Sequence, residues 1–119
     1  MRKLIFALAL FPCIAIGQTT AIPDTAFEQA LIDLGHDTGP LDASVPTANI
    51  SSIDSLQVWS KGISDLTGIE DFAALAFLHC GGNLLTSLDV SNNTALTILQ
   101  CMDNQLTSLD VSNNTALSV

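Results

Sequence analysis

Apolar residues recur through the second half of the chain at a fixed beat. Leu78, Cys80, Leu85, Leu88, Val90 and Leu96 are answered 21 positions later by Leu99, Cys101, Leu106, Leu109, Val111 and Leu117. The polar letters repeat with them: LTSLDVSNNTAL runs from Leu85 to Leu96 and again from Leu106 to Leu117. A looser copy precedes these at a spacing of 22, with Leu56, Val58, Ile63 and Leu66, then Ile69, Phe72 and Leu75. Alternation in Leu78-His79-Cys80 predicts a short strand whose first and third residues share one face while the middle one turns outward. Asn83 and Asn104 stand where such a strand must bend, and an Asn side chain can satisfy backbone groups freed there. Lys61 occupies that place in the first copy. Leu88-Asp89-Val90 also alternates, which predicts a second extended segment on the opposite wall. Asn92-Asn93 and Asn113-Asn114 then supply the return turn.

The first half reads differently. From Ile22 to Gly35 the apolar positions Phe27, Ala30, Leu31 and Leu34 fall at i, i+3, i+4 and i+7, the spacing of one helical face. Pro23 precedes the segment, Thr25 and Glu28 have the spacing of a capping box, and Gly35 can end it in a left-handed conformation. His36 to Ser52 is rich in turn residues, with Gly39-Pro40 and Pro46 as breakers.

A period of this length with leucines at these offsets is the leucine-rich-repeat pattern. No single repeat buries enough apolar surface to offset the ordering of its backbone, so the units must stack and share an interior. The expected fold is an α/β repeat: a leucine-rich-repeat solenoid of short parallel strands with an N-terminal helical cap. Residues 18–55 form the cap and linker, and residues 56–119 about three repeats. Ending at Val119 leaves the last repeat incomplete, which reads as the N-terminal fragment of a longer protein.

Residues 1–17 have the pattern of a secretory signal peptide. Arg2 and Lys3 form a basic start, Leu4 to Ile16 an apolar run, and Ala15 and Gly17 place small residues before a cleavage point at Gln18. The run is shorter than the roughly 20 residues of a membrane span. Acylation at Cys13 is disfavoured because Phe11-Pro12 lacks the small residue such sites want. Losing Arg2 and Lys3 takes the formal net charge from −9 to −11 and leaves Lys61 as the one basic Lys or Arg. Such a polyanion repels nucleic acid and anionic membrane surfaces.

The segments IPDTAFEQALIDLGHDTGPLD, GISDLTGIEDFAAL and the NxLTSLDVSNNTAL units resemble secreted leucine-rich-repeat proteins of Bacteroidota. The Cys at the strand position is similar to that of the cysteine-ladder internalins of Gram-positive pathogens. That resemblance implies an exported or surface-attached binding protein. Neither a sorting domain nor an anchor falls within these residues, so any membrane attachment would run through a C-terminal segment lying elsewhere.

Candidate chemistry lies on the outward side of the strands. Gln57, His79 and Gln100 form one column; Trp59, Gly81 and Met102 form another; Phe77 and Ile98 a third. Large apolar side chains held outward suggest a partner surface, so Gln57, Trp59, Phe77, His79, Ile98, Gln100 and Met102 are the candidate binding residues. Trp59 has a rival placement, folded down onto the N-terminal helix. Cys80 and Cys101 share one column and read as buried thiols, since parallel in-register side chains do not suit a disulfide. No catalytic set, cofactor or metal ligand set is expected. His79 lacks an orienting carboxylate, and Asp33, Asp37 and Asp42 do not match an EF-hand. Asp37-Thr38-Gly39-Pro40 reads as a turn, and Asp89 and Asp110 as solvated. The function expected is non-enzymatic recognition of an extracellular protein or glycan by the concave face, secreted or at the cell surface. A structural spacer or targeting module of a larger secreted enzyme is the alternative.

Overall fold

The computed structural model describes residues 18–118, so the expected signal peptide lies outside the described residues. Strands β3 (Ser55–Gln57), β4 (Phe77–His79) and β5 (Ile98–Gln100) form a three-stranded parallel sheet in that order. Leu56 pairs with Leu78, and Leu78 with Leu99, as the 22- and 21-residue spacings require. Each central leucine points inward, and Leu56 and Leu78 are buried. The core continues through Ile63, Leu66, Ile69, Phe72 and Leu75 of the first repeat, then Cys80, Leu85, Val90 and Leu96 of the second. In the third, Leu99, Cys101, Leu106 and Leu117 are only partly buried, and Leu109 and Val111 are exposed. No further unit among the described residues lies over them.

The bend after each strand is held by an asparagine, as its position predicted. Asn83 donates from Nδ2 to the carbonyls of Val58 and Cys80, and its Oδ1 accepts from the backbone N–H of Lys61 and Ile63. One buried side chain thereby closes its own turn and anchors the turn of the preceding repeat. That link lets Lys61 stand without an Asn of its own. Asn104 does the same one repeat later, donating to Cys80 and Cys101 carbonyls and accepting from Leu85 N–H.

The opposite wall departs from expectation. Leu88-Asp89-Val90 forms no strand. Asp89 Oδ1 instead accepts from the Ser91 N–H and hydroxyl, and Asp110 Oδ1 from the Ser112 N–H, so these carboxylates fold the backbone into local turns. Asn93 and Asn114 are buried rather than solvated turn residues. Asn93 donates to Ile69 and Phe72 carbonyls of the repeat before, and Asn114 to Val90 and Asn93 carbonyls. A second asparagine ladder therefore replaces the expected second strand.

At the N-terminal end, helix α1 covers Thr25–Asp33, shorter than the Ile22–Gly35 expected. Its N-cap is Asp24, not Thr25: Asp24 Oδ1 accepts from Phe27 N–H, while Oδ2 accepts from Ser64 and Asp65 N–H of the first repeat. The capping box is not made, and Glu28 is buried for other reasons. Gly35 (φ 87°) ends the helix, with Gly35 N–H bonded to Ile32 carbonyl and His36 N–H to Leu31 carbonyl. Leu34 lies beyond the last helical turn and is exposed.

A strand pair flanks this helix, within the 18–55 segment expected to be cap and linker. β1 (Thr19–Ala21) runs antiparallel to β2 (Ser44–Pro46), with Val45 buried opposite Thr20. Thr20 Oγ1 donates to Asp71 Oδ2 at 2.7 Å, and the Phe27 ring stacks on Phe72 at a centroid distance of 6.2 Å. Gly68 (φ 108°) passes so near β1 that a Cβ there would collide with the Ile22 side chain and sit 2.7 Å from the Ala21 carbonyl oxygen. The N-terminal unit is thus bolted to the first repeat by charge, ring and backbone contacts together. Among the described residues no helix is long and apolar enough to cross a membrane.

Candidate functional site

Period-2 alternation carries the outward side chains onto one sheet face. Phe77 and Ile98 stand in register, as do Gln57, His79 and Gln100. The hydrogen-bond ladder continues past the strands, from Val58 N–H to His79 carbonyl, Ser60 N–H to Gly81 carbonyl and Gly82 N–H to Met102 carbonyl. It therefore holds Trp59, Gly81 and Met102 in a column of their own. All seven predicted residues lie on this one face.

They are not equally presented. Trp59 and Met102 are each 53% exposed and Ile98 is 44% exposed, whereas Phe77, His79 and Gln100 are half-buried. Trp59 takes the outward placement: its indole stacks on the His79 ring with centroids 6.0 Å apart and planes 17° off parallel. His79 Nδ1 accepts from the Gly81 N–H at 3.3 Å, which places any neutral-ring proton on Nε2.

Gly81 has a role that spacing did not reveal. A Cβ at this position would lie 2.8 Å from Met102 Sδ and 3.1 Å from His79 Cε1. The missing side chain lets Met102 reach back across the second repeat and join the Trp59–His79 pair. An indole, an imidazole and a thioether thereby form one strip across the sheet. Its chemistry is contact and stacking.

Beneath the strip lies the cysteine column. Both thiols are free; Cys80 is buried and Cys101 half-buried. Burial, with a smaller contribution from the neighbouring Cys101, pushes the Cys80 thiol up to about 12, and burial also raises Cys101. Since the thiolate is the reactive form, Cys80 is inert near neutral pH while the fold holds. Iodoacetamide at pH 7.5 should modify Cys101 slowly and Cys80 only after denaturant is added. Peptide mass mapping of the labelled chain measures this, and equal native labelling of both would contradict the burial.

No protein-family model matches the sequence, and no curated protein does. Solved structures do. The functional domain of InlJ from Listeria monocytogenes, which includes a cysteine ladder, is 34% identical over 86% of this chain, with a TM-score of 0.75. The internalins InlF and InlC2 of the same organism match 82% and 88% of this chain at 24% and 22% identity, with TM-scores of 0.70 and 0.66. The chain spans 23% of the InlJ domain, 29% of InlF and 58% of InlC2. Its fold is of the internalin-like leucine-rich-repeat type, and Cys80 and Cys101 each directly follow a strand, one repeat apart.

Proposed function

We propose that the chain is an exported leucine-rich-repeat binding module, part of a longer surface or secreted protein. In this reading residues 18–55 cap the N-terminal end of a solenoid, and residues 56–119 are its first repeats. The concave sheet face recognises an extracellular protein or glycan. One observation carries the reading: Trp59, Ile98 and Met102 stay open to solvent on a rigid sheet, next to a His79 ring already stacked in place. Exposed aromatic and thioether groups on a fixed frame give contact area at little conformational cost, the composition of binding hot spots. With residues 1–17 removed, as export in this reading requires, the charge argues for the same partner classes, since one Lys against twelve acidic groups disfavours polyanions.

The limited share of InlJ that the chain spans keeps a second reading in view, a spacer or targeting module for a distal domain. Simultaneous Trp59→Ala, His79→Ala and Met102→Ala substitution separates the two. All three side chains project from the sheet, so far-UV circular dichroism and the melting temperature should change little. Binding to arrayed glycans and to extracellular proteins should fall at least tenfold, as loss of a hot-spot cluster does. Binding retained by the triple variant would remove this face from consideration and favour the spacer.

A further inference from the structure

We propose that Glu28, Asp37 and Asp42 form a calcium site that locks helix α1 to the loop leading into β2. Each offers a carboxylate oxygen, and these oxygens lie within 4.8 Å of one another. That separation fits Ca²⁺, whose oxygen ligands sit about 2.3–2.6 Å from the ion, so that opposite ligands are about 4.6–5.2 Å apart. Mg²⁺ demands near-ideal octahedral geometry and gives up its waters reluctantly, so ligands drawn from a helix and a loop favour Ca²⁺.

The cluster is more than a patch of surface acid. Asp37 is 8% exposed; its Oδ1 accepts from the Thr38 N–H, but its Oδ2 is buried without any hydrogen-bond partner. The turn read from the sequence accounts for the first oxygen and leaves the second unexplained. Glu28 is 1% exposed and accepts from the Ala43 and Asp42 N–H groups at 2.8 and 3.0 Å. Burial raises its carboxyl above the ordinary range against the pull of those two bonds, and the neighbouring Asp42 and Asp37 side chains add to the rise. Asp42 is exposed, its Oδ1 turned to the Ser44 N–H, so it offers the route by which an ion would enter. Burying a carboxylate oxygen without a partner is costly, and a second buried carboxylate beside it adds like-charge repulsion that a cation would relieve. Lys61 is the one Lys or Arg among the described residues, and its backbone lies in the repeat region. A divalent ion supplies what the chain does not, and water would complete the coordination shell on the exposed side.

The test uses the full chain, stripped with EDTA and dialysed into metal-free buffer at pH 7.4. Titration with CaCl₂ by calorimetry should show one site with a Kd on the order of 10⁻⁴–10⁻³ M, the range of extracellular calcium modules. Ten millimolar CaCl₂ should raise the melting temperature by at least about 5 °C, while the same concentration of MgCl₂ should do markedly less. D42N, at an exposed position that keeps an oxygen for Ser44, should fold normally and weaken calcium binding at least tenfold. D37N should abolish the calcium-dependent shift. No heat and no thermal shift with CaCl₂, or an undiminished shift in D42N, would overturn the site.

Discussion

Asn83→Ala should destabilise the protein by about 3–5 kcal/mol, more than any exposed substitution in the repeats. The alanine removes a buried side chain whose amide donates to Val58 and Cys80 carbonyls and accepts from Lys61 and Ile63 N–H groups. Those backbone groups have no water to turn to, because Asn83 is 5% exposed. Each orphaned buried group costs about 1–3 kcal/mol, and partial relaxation keeps the total below their sum. Asn104→Ala should cost less, about 1–2 kcal/mol, because Asn104 is half-buried and solvent can replace part of its network. Asn83→Asp is the sharper control. It preserves the acceptor facing Lys61 and Ile63 but turns a carboxylate oxygen toward two carbonyls, so it should rescue none of the loss. Urea titrations followed by circular dichroism rank the three variants. If Asn83→Ala proved as mild as Asn104→Ala, the asparagine link between repeats would not be what holds the bends.

The same residues show where the sequence was legible. A leucine every 21 or 22 positions has one physical consequence, a strand placed directly over the last one, and the Leu56, Leu78 and Leu99 register follows from it. The outward columns were equally readable, because alternation in a short strand depends only on backbone geometry. Asn83 could be assigned its bend for the same reason. Asn93 could not. Its burial depends on carbonyls of Ile69 and Phe72 in the previous repeat, and no local pattern distinguishes it from the solvated Asn92 beside it.

The N-terminal unit was less legible, since its decisive contacts are long-range. Asp24 outcompetes Thr25 as the cap because its second oxygen also binds Ser64 and Asp65, some 40 residues on. Glu28 looked like a capping-box residue and is instead drawn inward by the Asp42 and Ala43 N–H groups. β1 and β2 are as short as the strands of the repeats, but each occurs once, so no recurrence at a fixed spacing marks them. Gly81 offered a different obstacle: what matters there is the side chain it lacks, and only the position of Met102 shows the use of the gap.

Those long-range contacts imply that the helix and the first repeat unfold as one unit, and Phe72 is the residue on which that depends. Its ring is fully buried and faces Phe27 of α1 at 6.2 Å with planes 25° apart. Phe72→Ala should cost about 3–5 kcal/mol, from lost burial and from the cavity left between two elements that cannot both collapse into it. Asp24 and the Thr20–Asp71 bond keep them at a fixed separation. Phe72→Leu should cost less but still lose the ring contact. A double-mutant cycle with Phe27→Leu should return a coupling of about 0.5–1.5 kcal/mol, the worth of an aromatic pair beyond its area. Hydrogen exchange then tests the unit directly. In the parent chain, amides of α1 and of the first repeat, including Leu31 and Val58, should open with closely similar free energies; Phe72→Ala should lower both by the same amount. If protection fell in α1 alone while Val58 kept its parent value, the helix would be an appendage that can leave without disturbing the strands. The sheet face bearing Trp59 would then owe its rigidity to the repeats by themselves, and the N-terminal unit would be dispensable for presenting it.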